Sequence, residues 1–151
     1  FQFAISGDGP LKNDLMNTRE KFGLKKFVHF LGIRKDIADL LSAADIFLLT
    51  SHWEGLSISL LEAMSLAKPI VTTSAEGTNQ VIESGVNGIL VPIGDVKTIS
   101  DVVVSLSNDE NRKEKLGKSA QESITRKFSL ETVCLEYQKL FYTIIRDSHM
   151  N

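Results

Sequence analysis

Short apolar runs separated by stretches of mixed polarity set the rhythm of this chain. The runs fall at Phe3–Ser6, 28–31, 46–50, 69–73 and 88–91, and each is rich in β-branched or aromatic residues. Near-continuous apolar runs of this length predict strands buried on both faces of a parallel sheet. Between them, apolar residues recur at helical spacing: Leu11, Leu15 and Phe22, then Ile37, Leu40 and Leu41, then Ile58, Leu61 and Met64. Strands alternating with helices predict βαβ units, and so an α/β fold with a doubly wound parallel sheet and helices on both faces.

After Val91 the strand-like runs stop. Helices are predicted over 96–106, 109–127 and 130–145, the last with Val133, Tyr137, Leu140, Phe141 and Ile144 on one stripe. These three helices are expected to pack on the sheet. Residues 1–147 read as one domain, with 148–151 a loose tail. Phe1 opens directly into a strand-like run, which is expected of a piece of a longer protein.

Composition changes this picture little. The chain has 151 residues, enough for one domain with its own core. Its formal charge of −2 gives no electrostatic footprint for nucleic acid. A local anion site stays open, because backbone amides bind phosphate without net charge. The single cysteine, Cys134, rules out an internal disulfide, fits a reducing compartment, and is expected to be a small core residue. No apolar stretch is long enough to span a bilayer.

In a doubly wound sheet, ligands bind beyond the carboxyl ends of the strands. The loops to inspect are therefore 7–10, 32–35, 51–57 and 74–79. The first, Gly7-Asp8-Gly9-Pro10, begins like a dinucleotide fingerprint, but Lys12 stands where a third small residue belongs. It is equally a plain strand-to-helix turn with Pro10 at the first helical position.

The stretch Ser51-His52-Trp53-Glu54-Gly55-Leu56-Ser57-Ile58-Ser59-Leu60-Leu61-Glu62 carries the most chemistry. A strand, a glycine turn and a helix start follow one another. The helix head directs free amides and a positive dipole end at whatever lies in front of it, and a diphosphate suits that place. Glu54 lies before the helix and Glu62 inside it, on the order of 10 Å apart along the axis. That is too far to share a proton but suits gripping hydroxyls at two points of an extended ligand. A bland reading stands beside this one. Ser59-x-x-Glu62 is also a capping-box pattern, and Glu54 a solvated turn residue. Trp53 reads as a packing residue and His52 as exposed loop.

Glu54 and Glu62, seven residues between them, resemble the E-x7-E motif of retaining glycosyltransferases of GT-B fold. The wider context resembles the group 1 enzymes, family 4: Ser51, Glu54-Gly55, Leu61-Glu62-Ala63-Met64 and Pro69-Ile70-Val71. Gly7-Asp8-Gly9-Pro10, Val28-His29-Phe30-Leu31-Gly32, Ala44-Asp45-Ile46-Phe47, Gly85-Val86-Asn87-Gly88-Ile89-Leu90-Val91, Asp95 and Phe128-Ser129 match in order. The resemblance implies a Rossmann-like, donor-binding C-terminal domain of a two-domain enzyme whose N-terminal acceptor domain lies outside this chain. It implies that Glu54 faces the donor sugar as the catalytic residue and that Glu62 holds the nucleotide ribose. Gly55, Leu56, Ser57 and Ile58 approach the sugar and diphosphate of a UDP- or GDP-sugar. Gly7 permits close approach, and Arg34 lies near the base. No cofactor or metal is implied. The expected setting is the cytoplasm, with the longer enzyme at the inner membrane face, in glycan or polysaccharide synthesis.

A basic pair that the family uses would lie upstream of Phe1, so the chain by itself is expected to bind donor without turnover. Three positions depart from the family pattern. Ala67 stands where a glycine is usual, Glu76-Gly77 replaces two glycines, and Gln80 replaces a carboxylate. Ala67 in a left-handed helix end costs on the order of 1 kcal/mol. Glu is disfavoured at positive φ, so the 74–79 loop and its contact with the ligand are expected to differ from the family's. Alternatives are a non-hydrolysing sugar-nucleotide epimerase, which shares the architecture, and a binding module with a degenerate site. A nicotinamide dehydrogenase is disfavoured by Lys12.

Overall fold

The computed structural model describes residues 1–148. The expected tail lies outside them apart from Ser148. In chain order the elements are β1 (Phe3–Ser6), α1 (Lys12–Lys21), β2 (Val28–Gly32), α2 (Ile37–Ala43), β3 (Phe47–Leu49) and α3 (Ile58–Ser65). They continue as β4 (Ile70–Thr73), α4 (Glu76–Val81), β5 (Ile89–Val91), α5 (Val96–Ser107), α6 (Glu110–Phe128) and α7 (Leu130–Ser148). All strand pairs are parallel, as expected for an α/β chain. The chain forms two compact units, Phe1–Ile37 and the residues from Ala38 onward.

In the first unit β1 pairs with β2, Phe3 opposite Val28 and Ile5 opposite Phe30. The side chains of β1 are exposed, so it is not a strand buried on both faces. Arg19 of α1 lies over the Phe30 ring, 5.5 Å from its centroid, and Nη1 donates to the Val28 carbonyl at 3.3 Å. Lys12 pairs with Asp8 at 2.8 Å. Leu11, not Pro10, is the residue at the head of α1, so Pro10 precedes the helix rather than opening it.

In the second unit the strand order is β3-β4-β5. β4 is central and buried throughout. Successive side chains on a strand face opposite ways, and β4 uses both faces. Ile70 joins a core with Leu60, Met64, Val81, Ile82, Ala120 and Ile124. Val71 joins another with Ile89, Val91, Val103, Leu106 and Leu116. Helix α6 feeds both, Leu116 into one and Ala120 and Ile124 into the other. Truncating a core residue such as Leu60 or Met64 to alanine costs about 2–5 kcal/mol.

The end of α3 shows how tightly this unit is set. Lys68 N–H donates to the Ala63 carbonyl and Ala67 N–H to the Met64 carbonyl, both at 3.0 Å. That pair of bonds is a Schellman motif, which needs a left-handed residue at its turn. Ala67 occupies it at φ 53°, as the sequence anticipates. Its carbonyl sits where a side chain on residue 117 would begin, 2.0 Å from an ideal Cβ, which explains a glycine in the middle of α6.

Glu76 does not sit at positive φ, in keeping with a side chain that disfavours it. It opens a short helix, α4, which the sequence pattern did not indicate. Cys134 is exposed, not core, because α7 touches α6 near its start and shows Tyr137, Leu140, Phe141 and Ile144 to solvent from there on. Among the described residues no helix is long and apolar enough to cross a membrane.

Candidate functional site

The stretch between β3 and α3 holds most of the residues singled out above. Leu49 ends β3, a run of bends follows, and Ser57 caps α3. Ser57 Oγ accepts from Leu60 N–H at 3.4 Å and shares a 3.1 Å hydrogen bond with Ser59 Oγ. The helix therefore starts two residues before the capping box read at Ser59 and Glu62, and Glu62 does not reach back to close one. It stands instead in the second turn.

The faces of α3 sort cleanly. Leu60, Ala63 and Met64 are buried in the core, whereas Ile58 and Glu62 are exposed. Residues four apart on a helix are neighbours, so Glu62 lies one turn along the same open face as Ile58. Glu54 is half-buried in the preceding bend. Among the described residues neither carboxylate takes a hydrogen bond or ion pair.

The first five amides after Glu54 are equally unengaged. The backbone N–H groups of Gly55, Leu56, Ser57, Ile58 and Ser59 donate to no acceptor among the described residues. The first turn of α3 carries no acidic side chain either. A helix head normally settles its orphan donors with a cap or a carboxylate. Here one amide is capped by Ser57 and the run before it is open, which is the chemistry of an anion cradle.

Trp53 is 92% exposed and makes no packing contact of the kind expected of it. His52 is exposed, as read. Leu56 and Ile58 are exposed as well, at 49% and 66%.

The remaining site residues belong to the first unit. Gly7 follows β1 at φ 129° and donates its amide to the Gly32 carbonyl at 2.8 Å. Arg34 grips Asp36 with two guanidinium nitrogens. The partnership raises the Arg34 pKa and lowers that of Asp36, in each case mainly through the hydrogen bonds between them.

Sequence reasoning missed two residues that hold the Glu54 bend. Gly77 N–H donates to the Glu54 carbonyl at 2.9 Å. A Cβ on Gly77 would stand 1.3 Å from the Gly55 carbonyl oxygen. Thr73, at the end of β4, donates its hydroxyl to the Ser51 carbonyl at 2.5 Å. The signal for Gly77 was its place in the pair Glu76-Gly77. Nothing in the sequence indicated Thr73.

Comparison with known proteins gives a consistent picture. Residues 1–123 match the family described as glycosyl transferases group 1. The chain is 32% identical over 146 residues to N-acetyl-alpha-D-glucosaminyl L-malate synthase of Bacillus anthracis, covering 97% of this chain and 38% of that protein. It is 36% identical over 109 residues to an Escherichia coli UDP-Gal:alpha-D-GlcNAc-diphosphoundecaprenol alpha-1,3-galactosyltransferase, covering 72% of this chain and 28% of that one. Among solved structures, HepE of Anabaena in complex with UDP superposes with a TM-score of 0.88 at 26% identity, over 94% of this chain and 41% of that one. The chain thus spans well under half the length of these relatives.

Proposed function

The chain belongs to the group 1 glycosyl transferases, and on that premise we propose that it is the donor-binding half of a retaining GT-B enzyme that transfers a sugar from a nucleotide diphosphate sugar to an acceptor hydroxyl. The observation that carries this reading is the run of open amides at 55–59, flanked by Glu54 before the helix and Glu62 on its open face. In the reaction the leaving diphosphate gains negative charge while the sugar becomes cation-like. Preorganised N–H donors at the head of α3 stabilise the first change without reorganising. Glu54 faces the sugar and favours the second. Glu62 accepts paired hydrogen bonds from the ribose hydroxyls.

HepE is described in complexes with UDP and with UDP-glucose, and the Escherichia coli relative's name specifies UDP-Gal. These support a uridine nucleotide as the first donor to try, with GDP-sugars second. The reading places the enzyme in the cytoplasm, at the inner membrane face, in polysaccharide or glycan synthesis. It assigns no metal ion.

The test is turnover by the full-length protein in EDTA, with UDP-glucose, UDP-N-acetylglucosamine and GDP-mannose as donor probes. Transfer with a product whose anomeric configuration matches the donor is expected, read by proton NMR. Glu54→Gln is expected to lower kcat by about 100-fold or more, the scale of losing one electrostatic stabiliser in an active site. An inverted product removes the retaining assignment. Full turnover by Glu54→Gln removes the assigned role of Glu54.

A further inference from the structure

We infer that the β4–α4 corner is a clasp that sets the position of Glu54, with Thr73 and Gly77 as positioning residues for the transfer step. The inference rests on the proposed role of Glu54. Two hydrogen bonds define the clasp, and they hold the bend at both ends. The Thr73 hydroxyl donates to the Ser51 carbonyl at 2.5 Å, where the bend begins. The Gly77 amide donates to the carbonyl of Glu54 itself at 2.9 Å.

The clasp is reciprocal. The residue at the head of α4, Ala75, has no side chain able to cap it, so the orphan amides of its first turn need acceptors from elsewhere. Glu54 provides one with its backbone. Contact is close enough to exclude any side chain at 77, since a Cβ there would stand 1.3 Å from the Gly55 carbonyl oxygen and 2.5 Å from that of Glu54. The obstacle is backbone, so no rotamer relieves it. The two peptide units that would have to move flank Gly55, and the one nearer to Glu54 begins at the Glu54 carbonyl.

The corner is itself rigid. The Thr78 hydroxyl donates to the Thr73 carbonyl at 2.6 Å and sits at 2.8 Å from that of Ala75. Thr73, Ala75, Gly77 and Thr78 are all buried. Thr73 ends the central strand, so the clasp ties the bend to an element buried along its whole length. Glu62, by contrast, rides on α3 and is not held by it. The two acidic residues are thus positioned by separate parts of the fold. Disturbing the clasp should move the sugar-facing residue and spare the ribose-holding one.

The test uses the full-length protein as wild type, Thr73→Val, Thr73→Ser and Gly77→Ala. Amide exchange of the 51–57 segment, kcat and KM with the donor probes above, and UDP and GDP affinity by calorimetry are compared. Thr73→Val is expected to speed exchange in 51–57 at least tenfold and to lower kcat at least tenfold, with KM and nucleotide affinity within twofold of wild type. Thr73→Ser, which keeps the hydroxyl, should restore both. Gly77→Ala should act in the same direction and more strongly. Wild-type exchange and kcat in Thr73→Val would overturn the inference. So would a parallel loss of nucleotide affinity and turnover, which marks general damage to the fold. If Gly77→Ala does not fold, the threonine pair decides. If wild type binds none of the probes, the proposed function fails, while the exchange comparison still decides whether the clasp holds the bend.

Discussion

Single residues carry the most exposed claims. Ala67 adopts φ 53° because the Schellman bonds at the end of α3 demand a left-handed residue. An L side chain there costs about 1–2 kcal/mol relative to glycine. The greater freedom of an unfolded glycine offsets part of this. Ala67→Gly is therefore expected to stabilise the protein by about 1 kcal/mol, raising the melting temperature by roughly 2–4 °C for a domain of this size. A calorimetric scan reads it, and a lower melting temperature would refute the geometry. The sequence made this position legible because Ala67 stands where the family it resembles usually has a glycine, at a helix end that often needs a left-handed residue. It did not make Gly77 or Trp53 legible. The clash that requires Gly77 comes from a peptide more than 20 residues away in sequence. Trp53 was read as a packing residue from its size alone, yet the bend leaves it open.

Among the elements, the short apolar strands and the long helices α5 and α6 lie within one residue of their expected bounds, and α7 runs three residues past its expected end. The strands' signal is the apolar run, which belongs to a buried strand in β4 and to a strand whose side chains are exposed in β1. The helix α4 was missed because Glu76-Gly77-Thr78-Asn79-Gln80-Val81 has a single large apolar residue and no stripe. It is made by tertiary contacts, including the bond from Gly77 to Glu54. The sequence leaves the head of α3 at Ser57 or Ser59, and the bond from Leu60 N–H to Ser57 Oγ places it at Ser57. The head of α5 offers a measurable case. The Asp95 carboxylate accepts from Thr98 N–H at 2.9 Å and from its hydroxyl at 2.7 Å. These bonds, the hydroxyl's first, hold its pKa below the ordinary carboxylate value. Stability from this cap is complete above the unfolded pKa of about 4 and fades as pH falls through the lower folded value. Urea midpoints of wild type and Asp95→Ala should differ most near pH 7 and converge as pH falls below the ordinary carboxylate value. A gap that widens on acidification would contradict the assignment.

At the scale of the molecule, the strand-and-helix rhythm identified the α/β class, and parallel pairing follows from crossover helices. The site was legible in the sequence as a place, the head of a helix beyond a strand. Roles were legible only through resemblance, because spacing alone leaves Glu62 as easily a cap as a ligand. The structure removes the cap reading for Glu62 by moving the helix start to Ser57. What remains is an open run of amides with a carboxylate on either side. The most direct test is calorimetric titration of the full-length protein with UDP, and with GDP if UDP does not bind, in wild type and Glu62→Gln. Losing a charged acceptor of paired ribose hydrogen bonds should weaken binding about tenfold or more, with melting temperature unchanged. Equal affinity in the two proteins would show that Glu62 does not hold the nucleotide, and the account of this site would fall with it.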